Sequence, residues 1–388
     1  MWSLILCAAL AAPVDPGAAV RASLESAPLV AAAEARLVTA QGARQHATGP
    51  QHNPELQVGA SLDGNRLQGQ LLQPLSLTGE GLQDRRSARA DVEAAEAGLA
   101  RARLQTAATT RLAYARLSRA AAALSVADKQ LRGASRLREA AQLRLDAGDA
   151  PELDAQLARL EEARVVASWL DARKETVAAR SHLVALTGLP RDLEVADDPL
   201  EAAAGLAGVR GDGARSDVTA AEADVSAARA SLASERAAIL PPVGLGAFYE
   251  SDAGSVVAGP MVVLQLPIWN QNQGHLAAAR AGLMVAEAEL DATRGRADVQ
   301  AASLGGSLEA VAHAEGLLAA SVAADAASAL AAVEQAYALG EADLNTALQL
   351  QARIIAGELG WYAARASMAE TRIDVALAAE DGALVGPP

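Results

Sequence analysis

Five histidines (His46, His52, His182, His275 and His313), Cys7 and four methionines are the soft or readily titrating side chains of this 388-residue chain. A metal centre or an acid–base pair built from them needs short, regular spacing, because two ligands on adjacent helical turns must reach one ion. No two histidines stand four residues apart, and none sits in a recognised carboxylate motif. His46 and His52 flank a change in sequence pattern and read as surface residues. A lone cysteine excludes an intrachain disulfide and a cysteine-rich metal site, and four methionines are too few for a thioether copper site. No phosphate loop, nucleophile elbow or dinucleotide fingerprint occurs. The sequence therefore predicts no catalytic residues, no cofactor and no metal, so a protein that is not an enzyme. With 47 acidic against 33 basic residues and a net charge of −14, the chain also lacks the basic surface that nucleic acid requires.

The composition points to how the chain is built. It is 51% apolar but 2% aromatic, and alanine supplies most of the apolar count. Aromatic rings dominate the buried area of ordinary cores, so a thick globular core is not expected. Ala, Leu, Glu, Arg and Gln instead favour long packed helices. Residues Trp2 to Ala12 form a short apolar run ending in the small-x-small pattern Ala9-Leu10-Ala11, which reads as a signal peptide over 1–12 and predicts export. Cys7 falls inside that run, with a leucine before it too large for a lipidation site. No other stretch is long and apolar enough for a transmembrane helix.

Proline and glycine divide the remainder into two similar halves. Gln73-Pro74-Leu75 is followed by Gly81, and Leu266-Pro267-Ile268 by Gly274. Proline-free, alanine-rich runs follow each, predicting long helices over 82–147 and 275–339. At 1.5 Å per residue each would extend about 100 Å. The runs close on matching turns, Gly148-Asp149-Ala150-Pro151 and Gly340-Glu341-Ala342-Asp343, which lead into return helices over 151–186 and 342–381. A loop-rich stretch over 189–213 ends the first repeat (13–213). The second runs over 214–382, leaving a tail at 383–388. Before each long helix the pattern alternates with period two. Leu56, Val58, Ala60 and Leu62 turn at Asp63-Gly64-Asn65 and resume at Leu67. Val243 to Tyr249 likewise turns near Asp252 and returns to Trp269. These are two β-hairpins, 55–77 and 243–269, with Pro260 placing the last strand at an edge or bulge. Their arms match the length needed to cross a bilayer as tilted strands. Four strands cannot close a barrel, and lipid does not tolerate an open edge, so membrane strands would require several copies; three would give twelve.

This layout resembles the TolC-like outer-membrane efflux proteins, or outer membrane factors, from about Ala18 to Asp381. The resemblance is carried by Asn53-Pro54-Glu55-Leu56, by Pro267-Ile268-Trp269-Asn270-Gln271-Asn272-Gln273-Gly274, by Ala147-Gly148-Asp149-Ala150 before Leu153-Asp154, and by Leu186-Thr187-Gly188-Leu189-Pro190. It implies a mainly α fold of very long antiparallel coiled-coil helices with two β-hairpins, contributing to a trimeric α-barrel and a 12-stranded transmembrane β-barrel. It further implies a homotrimer in the outer membrane of a Gram-negative bacterium, with a helical tunnel across the periplasm. The partners would be outer-membrane lipid, a periplasmic adaptor and an inner-membrane pump, in a tripartite efflux or type I secretion system. An exported coiled-coil scaffold without a pore is the alternative, supported by Pro260.

The same resemblance places adaptor docking and the periplasmic aperture at Arg144, Leu145, Gly148, Asp149, Leu153 and Asp154, and at Tyr337, Leu339, Gly340, Glu341, Leu344 and Asn345. Glycine in these turns suits a left-handed helix end, and Asp149 and Glu341 suit equally the capping of the next helix. Tyr337 reads either as an aperture tyrosine or as a packing residue. Where some family members carry a basic residue after the second glycine, Glu341 and Ala342 stand here. Phe248, Tyr249 and Trp269 read as an aromatic belt at strand ends, where membrane interfaces favour such rings.

Overall fold

The structure, a computed structural model, describes residues 13–48, 53–60, 66–75, 80–196, 198–206, 215–239, 243–252, 255–264, 271–317 and 322–385. The signal-peptide reading at 1–12, His52, and the strand exit through Pro267 and Trp269 lie outside those residues. Eight described α-helices and four strands follow one another as α1 (Pro16–Ser26), α2 (Pro28–Thr48), β1 (Glu55–Ala60), β2 (Arg66–Leu75), α3 (Glu80–Asp146), α4 (Glu152–Thr187), α5 (Ser216–Ala237), β3 (Val243–Asp252), β4 (Ser255–Leu264), α6 (Gln273–Leu317), α7 (Val322–Ala338) and α8 (Leu344–Ala378). Within the predicted loop-rich stretch, Pro199–Ala203 forms one 3-10 turn. The predicted helix over 275–339 is described as α6 and α7, on either side of residues 318–321. Contacts divide the chain into two units, one of Met1–Leu29, Arg103–Asp212 and Val299–Pro388, the other of Val30–Ala102 and Gly213–Asp298.

In the first unit the helices are started and stopped by specific residues. Asp15 accepts a hydrogen bond from Ala18 N at 3.1 Å with Pro16 at the first helical position, an arrangement that satisfies one free donor and needs no other at the proline. Gly188 ends α4 at φ 68°, in left-handed geometry that favours glycine. The core has the fully buried Ala19, Val20, Tyr114, Leu117, Leu183, Ala369 and Ile373 at its centre. Alanine is abundant because small side chains allow close helix approach. At Gly133 a Cβ would lie 2.7 Å from both Gln351 Nε2 and Glu334 Oε1, so the ends of these side chains from α8 and α7 fill the space that a side chain on α3 would take. The few rings are placed to use their polar ends. Tyr114 donates to Val14 O at 2.9 Å and accepts from Ala196 N at 3.0 Å, fastening the chain before α1 and the stretch after α4 to α3.

That stretch is also held by charge. Asp198 accepts from Leu200 N at 3.0 Å and is paired with Arg365 of α8. Burial works against the Asp198 carboxylate, but bonds from Arg365 and Leu200 outweigh it and hold its pKa below the ordinary value. In the second unit the sign reverses. Burial, aided by Asp224, raises Asp91, and burial, aided by Glu289, raises Asp224. A lowered carboxyl contributes stability above its unfolded pKa that is lost as pH falls through its folded one; a raised carboxyl penalises the fold as pH rises through its own. Acidification should therefore first firm α5 and the start of α3, whose raised carboxyls take up protons before the lowered Asp198 does. Stronger acid should then loosen the Pro199–Ala203 turn. Hydrogen exchange followed against pH, corrected for intrinsic rates, should show the two segments moving in opposite directions, and Asp198→Asn should abolish the second change.

Candidate functional site

The four strands form one antiparallel sheet in the order β1-β2-β3-β4, with β1 and β4 at its edges. Pro260 thus lies in an edge strand, where a missing donor is tolerated. Residues directly opposite on paired strands share a face, and neighbours along a strand alternate. The register places Leu56, Leu71, Ala247 and Pro260 in one row, then Val58, Gly69, Tyr249 and Ala258, then Ala60, Leu67, Ser251 and Val256. Leu75, Val243 and Leu264 continue the same face. It carries no charge, yet it is open to its surroundings: Leu56 is 69% exposed, Val58 68% and Val262 61%. The opposite face carries every charged residue of the strands, Glu55, Arg66, Glu250 and Asp252, together with Gln57, Gln68 and Gln70. Gln68 donates to Glu250 at 3.1 Å and Arg66 pairs with Asp252 at 3.0 Å across the strands.

An exposed apolar face of this kind calls for a non-aqueous neighbour; on the opposite face the polar residues come mainly from β1, β2 and β3, and β4 adds Val257, Met261 and Val263. Transmembrane barrels combine two such faces, one turned to lipid and one to water. Strand packing is tight enough to specify it. A Cβ at Gly246 would lie 2.2 Å from Leu71 O, so only glycine permits β3 to approach β2. Two of the three aromatics read as an interfacial belt are described. Phe248 and Tyr249 stand sixth and seventh in a ten-residue strand that continues to Asp252. Alternation sends them to opposite faces. Phe248 covers Gly259, opposite it on β4, from the polar face, and Tyr249 alone joins the apolar face, 41% exposed.

The two helix turns of the first unit share one backbone construction. After α3, Gly148 lies at φ 81°, its N–H bonds to Leu145 O and Asp149 N–H to Arg144 O. After α7, Gly340 lies at φ 77°, its N–H bonds to Tyr337 O and Glu341 N–H to Ala336 O. Both are Schellman ends, in which a left-handed glycine lets two otherwise orphaned carbonyls be satisfied. Gly340→Ala places a Cβ in that conformation and should cost about 1–2 kcal/mol, lowering the urea midpoint of the isolated protein without shifting its far-ultraviolet circular dichroism.

Around this frame the predicted tip residues separate. Tyr337 and Leu344 are buried with Leu137, Ala141, Ala158 and Ala347 in one cluster. Arg144 lies 5.1 Å over the Tyr337 ring and donates to Tyr337 O at 3.4 Å. Burial raises the Tyr337 pKa, partly opposed by Arg144, and its hydroxyl has no hydrogen-bond partner among the described residues. Leu145 and Asp154 are half-buried, whereas Asp149, Glu341 and Asn345 are exposed. Leu153 and Leu339 are 60% and 65% exposed. Neither Asp149 nor Glu341 caps the next helix. The cap of α8 is Asp343, which accepts from Thr346 N and Thr346 Oγ1, both at 2.8 Å, and α4 starts at Pro151 without a side-chain cap. A cap needs its oxygen one residue before the first helical turn, and Asp343 holds that position. Leu143, five residues before Gly148, is likewise exposed, at 69%.

Solved structures with the same architecture are outer-membrane channels. The outer membrane protein VceC of Vibrio cholerae superposes with a TM-score of 0.72 at 20% identity, over 94% of this chain and 96% of its own. The Campylobacter jejuni CmeC outer membrane channel gives 0.72 at 15%, over 97% and 88%. The open-state MtrE outer membrane channel of Neisseria gonorrhoeae gives 0.71 at 19%, over 95% and 89%. The fold is that of the outer membrane factor channels. No protein-family model matches the sequence, and no curated protein does either. Nearly the full length of the outer-membrane-channel fold is present, hairpins and helix turns included. Among the described residues no cluster of His, Cys, Asp and Glu could hold a metal ion, and no helix is long and apolar enough to cross a membrane.

Proposed function

We propose that the chain is the subunit of a passive export channel in the outer membrane of a Gram-negative bacterium, a member of the TolC-like family serving a tripartite efflux or type I secretion system. The observation that carries this reading is the two-faced sheet: an uncharged, exposed apolar face opposite a face that holds all the strand charges. A bilayer covers the first and an aqueous lumen solvates the second. The free edges of β1 and β4 would leave backbone groups unpaired in lipid, and three copies joining β1 to β4 close a twelve-stranded barrel of the kind outer membranes accept. In this assembly Tyr249 sits toward one interface. The exposed Leu153, Leu339, Asp149, Glu341 and Asn345 form the surface that meets a periplasmic adaptor, which connects the channel to an inner-membrane pump. Tyr337, Leu344 and Arg144 act from beneath, fixing the turns that present it. The acidic Asp149 and Glu341 give the conduit a mild cation preference.

The test is reconstitution into planar bilayers. Stepwise conductance from heat-modifiable trimers extracted from outer membranes supports the channel. Recovery of the mature protein as a soluble periplasmic species with no conductance overturns it. Unchanged ion selectivity in Asp149→Asn/Glu341→Gln overturns the cation preference alone.

A further inference from the structure

In a chain of net charge −14, three arginines gather where the second unit's helices approach the sheet. A groove of about 490 Å³ between α3 and α5 is lined by Gln83, Arg86, Arg89 and Glu93 on one side and Ser226 and Arg229 on the other. The volume falls in the range of small-ligand sites. Two of its guanidinium groups are only lightly engaged: Arg86 donates to Gln83 Oε1 at 3.4 Å, and Arg229 pairs with Glu287 at 3.0 Å with both side chains largely exposed. Arg89 has no ion pair or side-chain hydrogen bond among the described residues. Glu93 is the one acid in the lining.

The position of the groove identifies its neighbour. Strand β2 ends at Leu75 and α3 begins at Glu80, so Arg86 and Arg89 lie about 9 and 14 Å along the helix from its start. Arg229 lies eight residues, about 12 Å, before the end of α5, and β3 begins at Val243. All three thus stand within about 9–14 Å of the helix ends that lead to the strands. Leu82, four residues before Arg86 and seven before Arg89, shares their helical face and is 52% exposed. An exposed leucine in the first turn of α3 with guanidinium groups one and two turns further along is the order met on passing from hydrocarbon into headgroups. Among the acids of the same helices, Glu93 lines the groove, Asp84 accepts a hydrogen bond from Ser234 of α5 at 2.8 Å, and Asp91 and Asp224, close enough for Asp224 to raise the Asp91 carboxyl, stand on another helical face.

We propose that this groove binds the phosphate of an anionic phospholipid headgroup in the periplasmic leaflet, with Arg86, Arg89 and Arg229 supplying the charge and Gln83 and Ser226 neutral hydrogen bonds. Basic pockets beside membrane segments hold lipid phosphates in this manner, and guanidinium groups match phosphate oxygens in pairs. The inference rests on the reading of the strands as membrane strands.

The experiment reconstitutes the trimer into phosphatidylcholine vesicles with and without phosphatidylglycerol, and counts retained lipid by native mass spectrometry. Wild-type protein should retain phosphatidylglycerol over phosphatidylcholine, and Arg86→Gln/Arg89→Gln should lose that preference by about fivefold per arginine. Arg86→Lys/Arg89→Lys should keep most of it, because charge is preserved while paired geometry is lost. Equal retention by wild type and the glutamine variant overturns the proposal, and so does displacement of the lipid by inorganic phosphate at equal concentration, which would make the site one for a free anion. Insertion into both vesicles without lipid preference removes the lipid site and leaves the channel standing. Failure to insert into either removes both.

Discussion

Leu71→Arg is expected to abolish assembly in the outer membrane, whereas Gln70→Arg, one residue earlier, is expected to leave assembly intact and change ion selectivity. Leu71 is in the middle of β2, in a row with Leu56, Ala247 and Pro260 on the uncharged face, and it is 51% exposed. If that face meets lipid, an arginine there costs about 2–4 kcal/mol at the bilayer midplane, and every copy in the barrel bears the cost. Gln70 points the other way, between Gln57 and Phe248 on the face with all the strand charges. An arginine in a water-filled lumen keeps its hydration and adds positive charge to the conduit. Outer-membrane fractionation and heat-modifiability read the first effect, and reversal potentials in planar bilayers the second. Equal behaviour of the two variants would show that the faces do not have different solvents.

Arg111→Met is expected to release the segment around Pro199–Ala203 and the C-terminal turn from the first unit. Arg111 is only 4% exposed and, among the described residues, has no carboxylate partner in hydrogen-bond range. Its guanidinium donates to four carbonyls: Leu384 O at 3.0 Å, Ala202 O at 2.9 Å, Ala204 O at 3.4 Å and Ala383 O at 3.1 Å. Burial lowers its pKa, and the charges of Asp15 and Asp381 act against that. One side chain thus gathers two chain segments that have few backbone bonds of their own. Methionine fills much of the volume but leaves those carbonyls buried and unpaired, and hydrogen bonds to charged groups are worth about 1.5–3 kcal/mol each, so a loss of about 3–5 kcal/mol is expected. Hydrogen exchange should accelerate at residues 199–206 and 382–385 before it does in α4 or α8. Arg111→Lys should recover less than half of the loss, since an ammonium on one stem cannot fork to carbonyls on both sides.

How far the sequence could be read depends on how local each signal is. Alternation at Leu56, Val58 and Ala60 marks a strand because side chains there have a period of two, and a proline-free alanine run marks a helix because nothing in it interrupts the backbone bonds. The glycines at 148 and 340 were legible for the same reason: left-handed geometry is a property of a single residue. Signals that depend on which residue faces which were not legible. Asp149 and Glu341 looked like caps because acids near a helix start are favourable over several positions, and only the backbone path showed that Asp343 occupies the capping one. Phe248 and Tyr249 looked like one cluster because they are adjacent in sequence, while the strand they share sends them to opposite faces of the sheet.

The sequence by itself determined that the chain makes long alanine-rich helices and two hairpins. Tertiary structure decided what those elements do. Antiparallel register brought the hairpins into one sheet and sorted its charges to one face, since opposing residues share a side only once strands are paired. Helix packing placed Arg111 among four distant carbonyls and put Arg86 and Arg89 opposite Arg229 across a groove. Each of these depends on residues far apart in the chain meeting at a particular distance, which periodicity along one chain does not encode.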